Sequence, residues 1–176
     1  MTLSNLSRLA GMCRIGCWLY IVSAPLVMIW YLFGSSGNAM IIAALDHPLR
    51  FDRVASWQWL WVKLVTILPS LILIAGVFAL EKTFAAFQRG TYFSLTNVNY
   101  IKRFSVYLLL NAILSSLVFT LALLILSISQ SPGEKILSFR FGSAEIKMIF
   151  IAAAFWLIAW VIEQGEAIEQ ENRQFI

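Results

Sequence analysis

The sequence predicts an all-α membrane protein with four transmembrane helices, and three observations carry that prediction. Of its 176 residues, 60% are hydrophobic and 12% charged, where soluble domains carry roughly 25% charged residues. Apolar runs approaching the roughly 20 residues needed to cross a hydrocarbon core cover 15–33, 62–80, 104–129 and 146–162. Between the second and third runs lies the one long polar and basic passage, 81–103, which suits a turn outside the bilayer. A chain of this length makes one domain, 1–176, ending in an acidic tail over 163–176.

Orientation is set by Lys and Arg in short loops rather than by the net charge of +4. One side collects Arg8, Arg14, Lys82, Arg89, Lys102, Arg103 and Arg173. The other collects Arg50, Arg53, Lys135, Arg140 and Lys147, with Lys63 just inside a span. The bias places both termini and the central elbow in the cytoplasm, with 34–61 and 130–145 outside.

The first apolar run is longer than the ~7–15 residues of a signal peptide core, and no A-x-A site follows Phe33, so it is expected to stay. Ahead of it, Ser4 to Ser7 offer helix caps. Cys13 and Cys17 share a helical face without further ligands nearby, which suits packing better than metal binding. Pro25 and Pro69 fall inside the first two spans and predict bends, with Ser23 or Ser70 available to the freed carbonyls.

In the first outer loop, Leu49 to Val54 alternates apolar and charged residues; in the second, Leu137 to Phe141 alternates as well. That period predicts two short strands, which could pair as a β-hairpin-like layer covering the outer end of the helices. Trp57, Trp59 and Trp61, with Trp30 and Tyr31, predict an aromatic belt at this face. His47 is the single histidine and has no partner base, nucleophile or second ligand in its vicinity, so it makes no catalytic set.

The elbow reads as helix–turn–helix. Leu80, Phe84 and Phe87 recur at helical spacing, Arg89-Gly90 is a stop signal, and Ser94 is positioned to open the next helix. In the third span, Asn111 and Ser115 lie one turn apart and are expected to face other helices, because polar groups in hydrocarbon seek hydrogen bonds. No Asp, Glu, His, Lys or Arg falls deep in any span, which argues against a proton relay or a transporter of charged substrates. Beyond the fourth span, Glu163, Glu166, Glu169 and Arg173 continue at helical spacing, on the side of the basic elbow, where a tail-to-elbow contact competes with a solvated helix end.

Two passages resemble a family of small bacterial membrane proteins, the domain-of-unknown-function family 2975. The elbow carries Phe84, Phe87, Arg89-Gly90, Phe93-Ser94, Asn97-Val98 and Ile101 in the order of the family pattern; the tail carries Gly165, Ile168 and Glu171-Asn172. After Asn172 the ending Arg173-Gln174-Phe175 departs from that pattern. The resemblance implies four helices and no established enzyme activity. Some members are encoded beside helix-turn-helix regulators, which implies a membrane partner for a cytoplasmic protein.

These readings lead to a non-enzymatic membrane protein that binds a protein partner, with a cytoplasmic regulator as the expected partner. The candidate contact residues are Phe84, Phe87, Arg89, Phe93, Asn97, Lys102, Arg103, Glu166 and Glu171. An immunity protein that protects its cell from a membrane-active toxin is the alternative, and an oligomeric channel ranks below it. No catalytic, cofactor-binding or metal-ligating set is expected. Membrane lipid and one protein are the expected partners, self-association is left open, and direct contact with nucleic acid is not expected.

Overall fold

The computed structural model describes residues 3–34, 36–45, 51–91, 94–131 and 138–174. Among the described residues five α-helices follow one another: α1 Leu3–Phe33, α2 Ser36–Leu45, α3 Ser56–Gln88, α4 Leu95–Ser127 and α5 Ser143–Gln174, with one 3₁₀ turn at Phe51–Arg53. All but α2 contain stretches long and apolar enough to cross a membrane: Ser7–Phe33, Ser56–Gln88, Leu95–Ser127 and Ser143–Glu166. The protein is therefore a multi-pass, four-span membrane protein. Its helices outrun the apolar runs that mark them, because polar first and last turns add length without adding hydropathy.

The spanning helices are arranged as a row rather than a closed bundle. α1 packs on α3, α3 on α4 and α4 on α5, while α2 rests on α1; the end helices α1 and α5 make no comparable contact with each other. α4 is accordingly the most buried span. It presents Val98, Ile101, Phe104, Leu108 and Ala112 to its neighbours at spacings of three and four, and Ala122 and Leu126 further along. α1 and α5 leave most of their large side chains, among them Leu19, Leu26, Phe150 and Leu157, exposed for lipid to cover. Gly76 marks a close approach of α3 to α4, since a Cβ there would lie 3.0 Å from Tyr107 Cβ.

The expected strand layer is not formed. Among the described residues there is no strand: Phe51–Arg53 is a 3₁₀ turn, and 138–142 carry no ladder. Leu49, Arg50 and Leu137 lie outside the described residues, as does His47. Alternation alone cannot distinguish a strand from a short turn whose apolar residues point one way. Here Phe51 and Val54 pack against the core of Ile41, Leu45, Val62, Ala122, Leu123 and Leu126. The loops are joined by side chains instead: Arg53 Nη1 donates to Ser131 Oγ at 2.7 Å, and Arg140 Nη1 to Ala44 O at 3.1 Å.

α2 occupies what was expected to be loop. Its ten residues reach about 15 Å at a helical rise, half of a hydrocarbon core, so it roofs the row rather than spanning it. The belt is also divided. Trp30, Trp57 and Trp61 are exposed, whereas Trp59 packs inward against Phe51 at 6.1 Å between ring centroids, and Tyr31 shares a 2.9 Å hydrogen bond with Thr66.

Both helices containing proline run on unbroken. Ser23 Oγ bonds Tyr20 O, not the carbonyl of Ile21 that Pro25 leaves free, and near Pro69 it is Thr66 rather than Ser70 whose hydroxyl bonds the backbone, at Val62 O and Lys63 O. Within α1, Cys13 is exposed and Cys17 buried, and neither forms a disulfide.

Candidate functional site: the α3–α4 hairpin and the start of the tail

The connection between α3 and α4 is only residues 89–94, so the elbow is mostly helix. Gly90 has φ of 79°, a left-handed conformation that glycine adopts without the strain a side chain would bring. The backbone N–H groups of Arg89, Gly90 and Thr91 return to Ala86 O and Phe87 O, and Thr91 Oγ1 also donates to Ala86 O. These bonds close the last turn of α3. Ser94 takes the extended N-cap position of α4 as expected, but its side chain makes no capping bond there.

Each 33-residue helix is about 50 Å long at 1.5 Å per residue. A hydrocarbon core is about 30 Å thick, so the two helices project past it together on the elbow side. Two polar joints hold this projection. At α1, Arg14 Nε donates to Glu81 Oε1 at 2.7 Å and Arg14 Nη1 to Gln88 Oε1 at 3.0 Å. Glu81 is 1% exposed, and Lys82 Nζ stands 3.8 Å from its second oxygen. Gly11 makes room for the joint, since a Cβ there would lie 2.8 Å from Gln88 Nε2. At α5, Lys102 Nζ donates to Glu163 Oε2 at 2.7 Å, above a core of Val98, Ile101 and Ala159.

The residues singled out from the sequence therefore separate into two kinds. Arg89 and Arg103 are exposed, and Arg89 Nε also bonds Ala85 O at 3.2 Å. Asn97 is buried, Lys102 is engaged with Glu163 over the Trp156 ring, and Phe84 and Phe87 are half-buried. Glu166 is half-buried with one carboxylate oxygen lacking a hydrogen bond. Phe93 lies outside the described residues; Glu171 sits on α5, but its side chain is outside them too. The structure thus joins the elbow to the start of the tail through Lys102 and Glu163.

Asn111 and Ser115 lie deeper. Asn111 is buried and its Nδ2 donates to Met148 Sδ of α5 at 3.2 Å, while Ser115 Oγ returns to Asn111 O at 2.8 Å. Ser105 makes the stronger crossing, donating to Ala152 O at 2.6 Å. Sulfur is a weak acceptor, and membrane side-chain hydrogen bonds average about 0.6 kcal/mol. Asn111→Leu is accordingly expected to change stability by less than about 1 kcal/mol. Thermal unfolding in detergent checks this, and a loss several times larger would show that the amide does more than bond Met148.

The Arg14–Glu81–Gln88 joint was missed. Glu81 looks like the first residue of a solvated elbow, and the only hint of its burial is helical: Glu81 and Gln88 stand seven apart, hence on one face. Among the described residues, no three His, Cys, Asp or Glu side chains are grouped to hold a metal ion. No family model matches the chain, and no curated protein or solved structure matches it either.

Proposed function

We propose that this chain is a non-enzymatic, multi-pass protein of a bacterial inner membrane that binds a cytoplasmic protein on its α3–α4 hairpin. The observation that carries the reading is the hairpin itself: two helices that outrun the bilayer, braced on one side by Arg14 and on the other by Glu163, with Arg89 and Arg103 exposed. A braced platform loses little entropy when a partner docks. Its exposed guanidinium groups suit carboxylates on that partner. In this reading both termini are cytoplasmic, following the Lys/Arg bias. The resemblance of the elbow to a family whose members are sometimes encoded beside helix-turn-helix regulators supports a regulator as the partner.

For the alternative, immunity to a membrane-active toxin, the outer loops offer no strand edge among the described residues, Phe51–Arg53 being a 3₁₀ turn, so a toxin adding a strand there lacks its template. A channel would need several copies, because helices in a row enclose no central path within one chain.

The test is capture from detergent extract. Wild-type chain should recover a cytoplasmic protein in fixed ratio, and the double variant Arg89→Glu/Arg103→Glu should reduce recovery by about tenfold or more, since like charges now face each other. Equal recovery by the variant would remove the hairpin as the docking face.

A further inference from the structure

At the opposite end of the row, α1, α2, α3 and α4 surround a half-open cavity of about 480 Å³, a volume within the ~300–1,000 Å³ of ligand sites. Met28, Ile41 and Phe119 are among its apolar walls, and its polar side chains are hydroxyls, including those of Tyr31 and Thr66. Those two bond each other, Thr66 also bonds its own helix, and Ser115 is turned back to Asn111 O. Little hydrogen-bonding capacity therefore points into the cavity. An apolar occupant suits it, and in a bilayer the apolar material on hand is an acyl chain.

The rim supplies a charge. Lys63 shares one helical face with Thr66, Ile67 and Ser70, all of which line the cavity. It stands about one turn, or ~5 Å, nearer the loops than Thr66. Its Nζ donates to Leu32 O at 3.3 Å and Gly34 O at 3.5 Å, both neutral acceptors at the end of α1. An ammonium has three donors, and none of the ion pairs among the described residues involves Lys63. The carbonyls at the C-terminus of α1 offer it only partial negative charge, and a half-buried cation in a membrane is stabilised further by a full counter-ion. Lys63 also follows Trp61 by two residues, and exposed Trp57 and Trp61 suit the level of lipid headgroups. A lipid phosphate at that level would be beside the ammonium while its chain runs down toward Pro69.

We propose that this cavity takes one acyl chain of an anionic phospholipid whose headgroup phosphate rests against Lys63. The site is independent of the hairpin and would stand or fall without it. Native mass spectrometry of the full chain in detergent, supplied with equimolar phosphatidylglycerol and phosphatidylcholine, reads the binding directly. Wild type should retain one phosphatidylglycerol per chain with about fivefold preference, the scale of one Lys near anionic lipid. Lys63→Gln should keep one lipid but lose the preference. Ser70→Phe, which fills the cavity, should retain none. Lys147→Gln, which removes an exposed charge at the start of α5, a helix that lines no part of the cavity, should leave the preference intact. Equal retention of the two lipids by wild type, or no lipid at fixed stoichiometry, overturns the proposal whatever the variants do. So does a preference that survives in Lys63→Gln or disappears in Lys147→Gln.

Discussion

Gln58→Met is expected to destabilise the folded chain by about 3 kcal/mol, from lost hydrogen bonds and the buried groups they leave unpaired. Gln58 is fully buried at the start of α3. Its Oε1 accepts from Ala55 N at 2.9 Å and from Ser129 Oγ, and its Nε2 donates to Ile125 O. One side chain thus caps α3 and fastens it to the far end of α4. Methionine conserves volume and removes all three bonds, so the loss is polar rather than a cavity effect. Gln58→Glu isolates the donor: it keeps both bonds accepted by Oε1 but, when ionised, sets an oxygen against Ile125 O. It should therefore fall well below wild type too. Thermal unfolding in mild detergent, followed through tryptophan near-ultraviolet circular dichroism, gives the comparison. A Met variant within about 0.5 kcal/mol of wild type, the scatter of a neutral surface change, would show that water replaces the amide.

The four spans were legible because hydropathy over about 20 residues is a statement about solvent, and solvent decides these elements. The turn at Arg89-Gly90 was legible for a local reason, since the left-handed φ at Gly90 selects the residue. What escaped was set by neighbours distant in sequence. α2 has only ten residues, below the length at which periodicity separates a buried helix from an apolar loop. Trp57, Trp59 and Trp61 read as one belt, yet helical spacing turns Trp59 away from the other two and toward Phe51. The row arrangement was not legible at all. Apolar residues surround α1 and α5 on every side, and lipid-facing positions cannot be told from helix-facing ones when both environments are oily.

The candidate contact residues show the same division. Lys102 and Arg103 are adjacent and alike in sequence, but one pairs with Glu163 and the other is exposed. Which of them can meet a partner depends on where α5 passes, and that is a tertiary fact. Exposed pairs contribute at most about 1 kcal/mol, so the Lys102–Glu163 joint, partly open to solvent on both sides, orients the tail more than it stabilises the fold.

Arg14→Ala should cost about 3 kcal/mol, the low end for breaking a buried ion pair by removing one partner. The acid is the buried member: the Glu81 side chain is 2% exposed and the Arg14 side chain 41%. Removing the arginine therefore leaves the carboxylate without its nearest charge and only Lys82 at 3.8 Å, and it also leaves Gln88 Oε1 without its donor. Partial exposure of Arg14 and the presence of Lys82 keep the loss at that low end. The reverse truncation behaves differently, because Glu81→Leu strands an arginine that can still reach water and fills the buried position with an apolar group. It should cost less than Arg14→Ala. The double variant Arg14→Met/Glu81→Leu should recover most of the stability, since replacing a buried pair with apolar side chains of similar volume is commonly neutral or better. Unfolding midpoints of wild type, Arg14→Ala, Arg14→Met, Glu81→Leu and the double variant, measured in one detergent, decide the matter. If Arg14→Met and Glu81→Leu cost the same and their effects simply add in the double variant, the pair is no more than a surface contact, and α1 is held to the hairpin by packing alone.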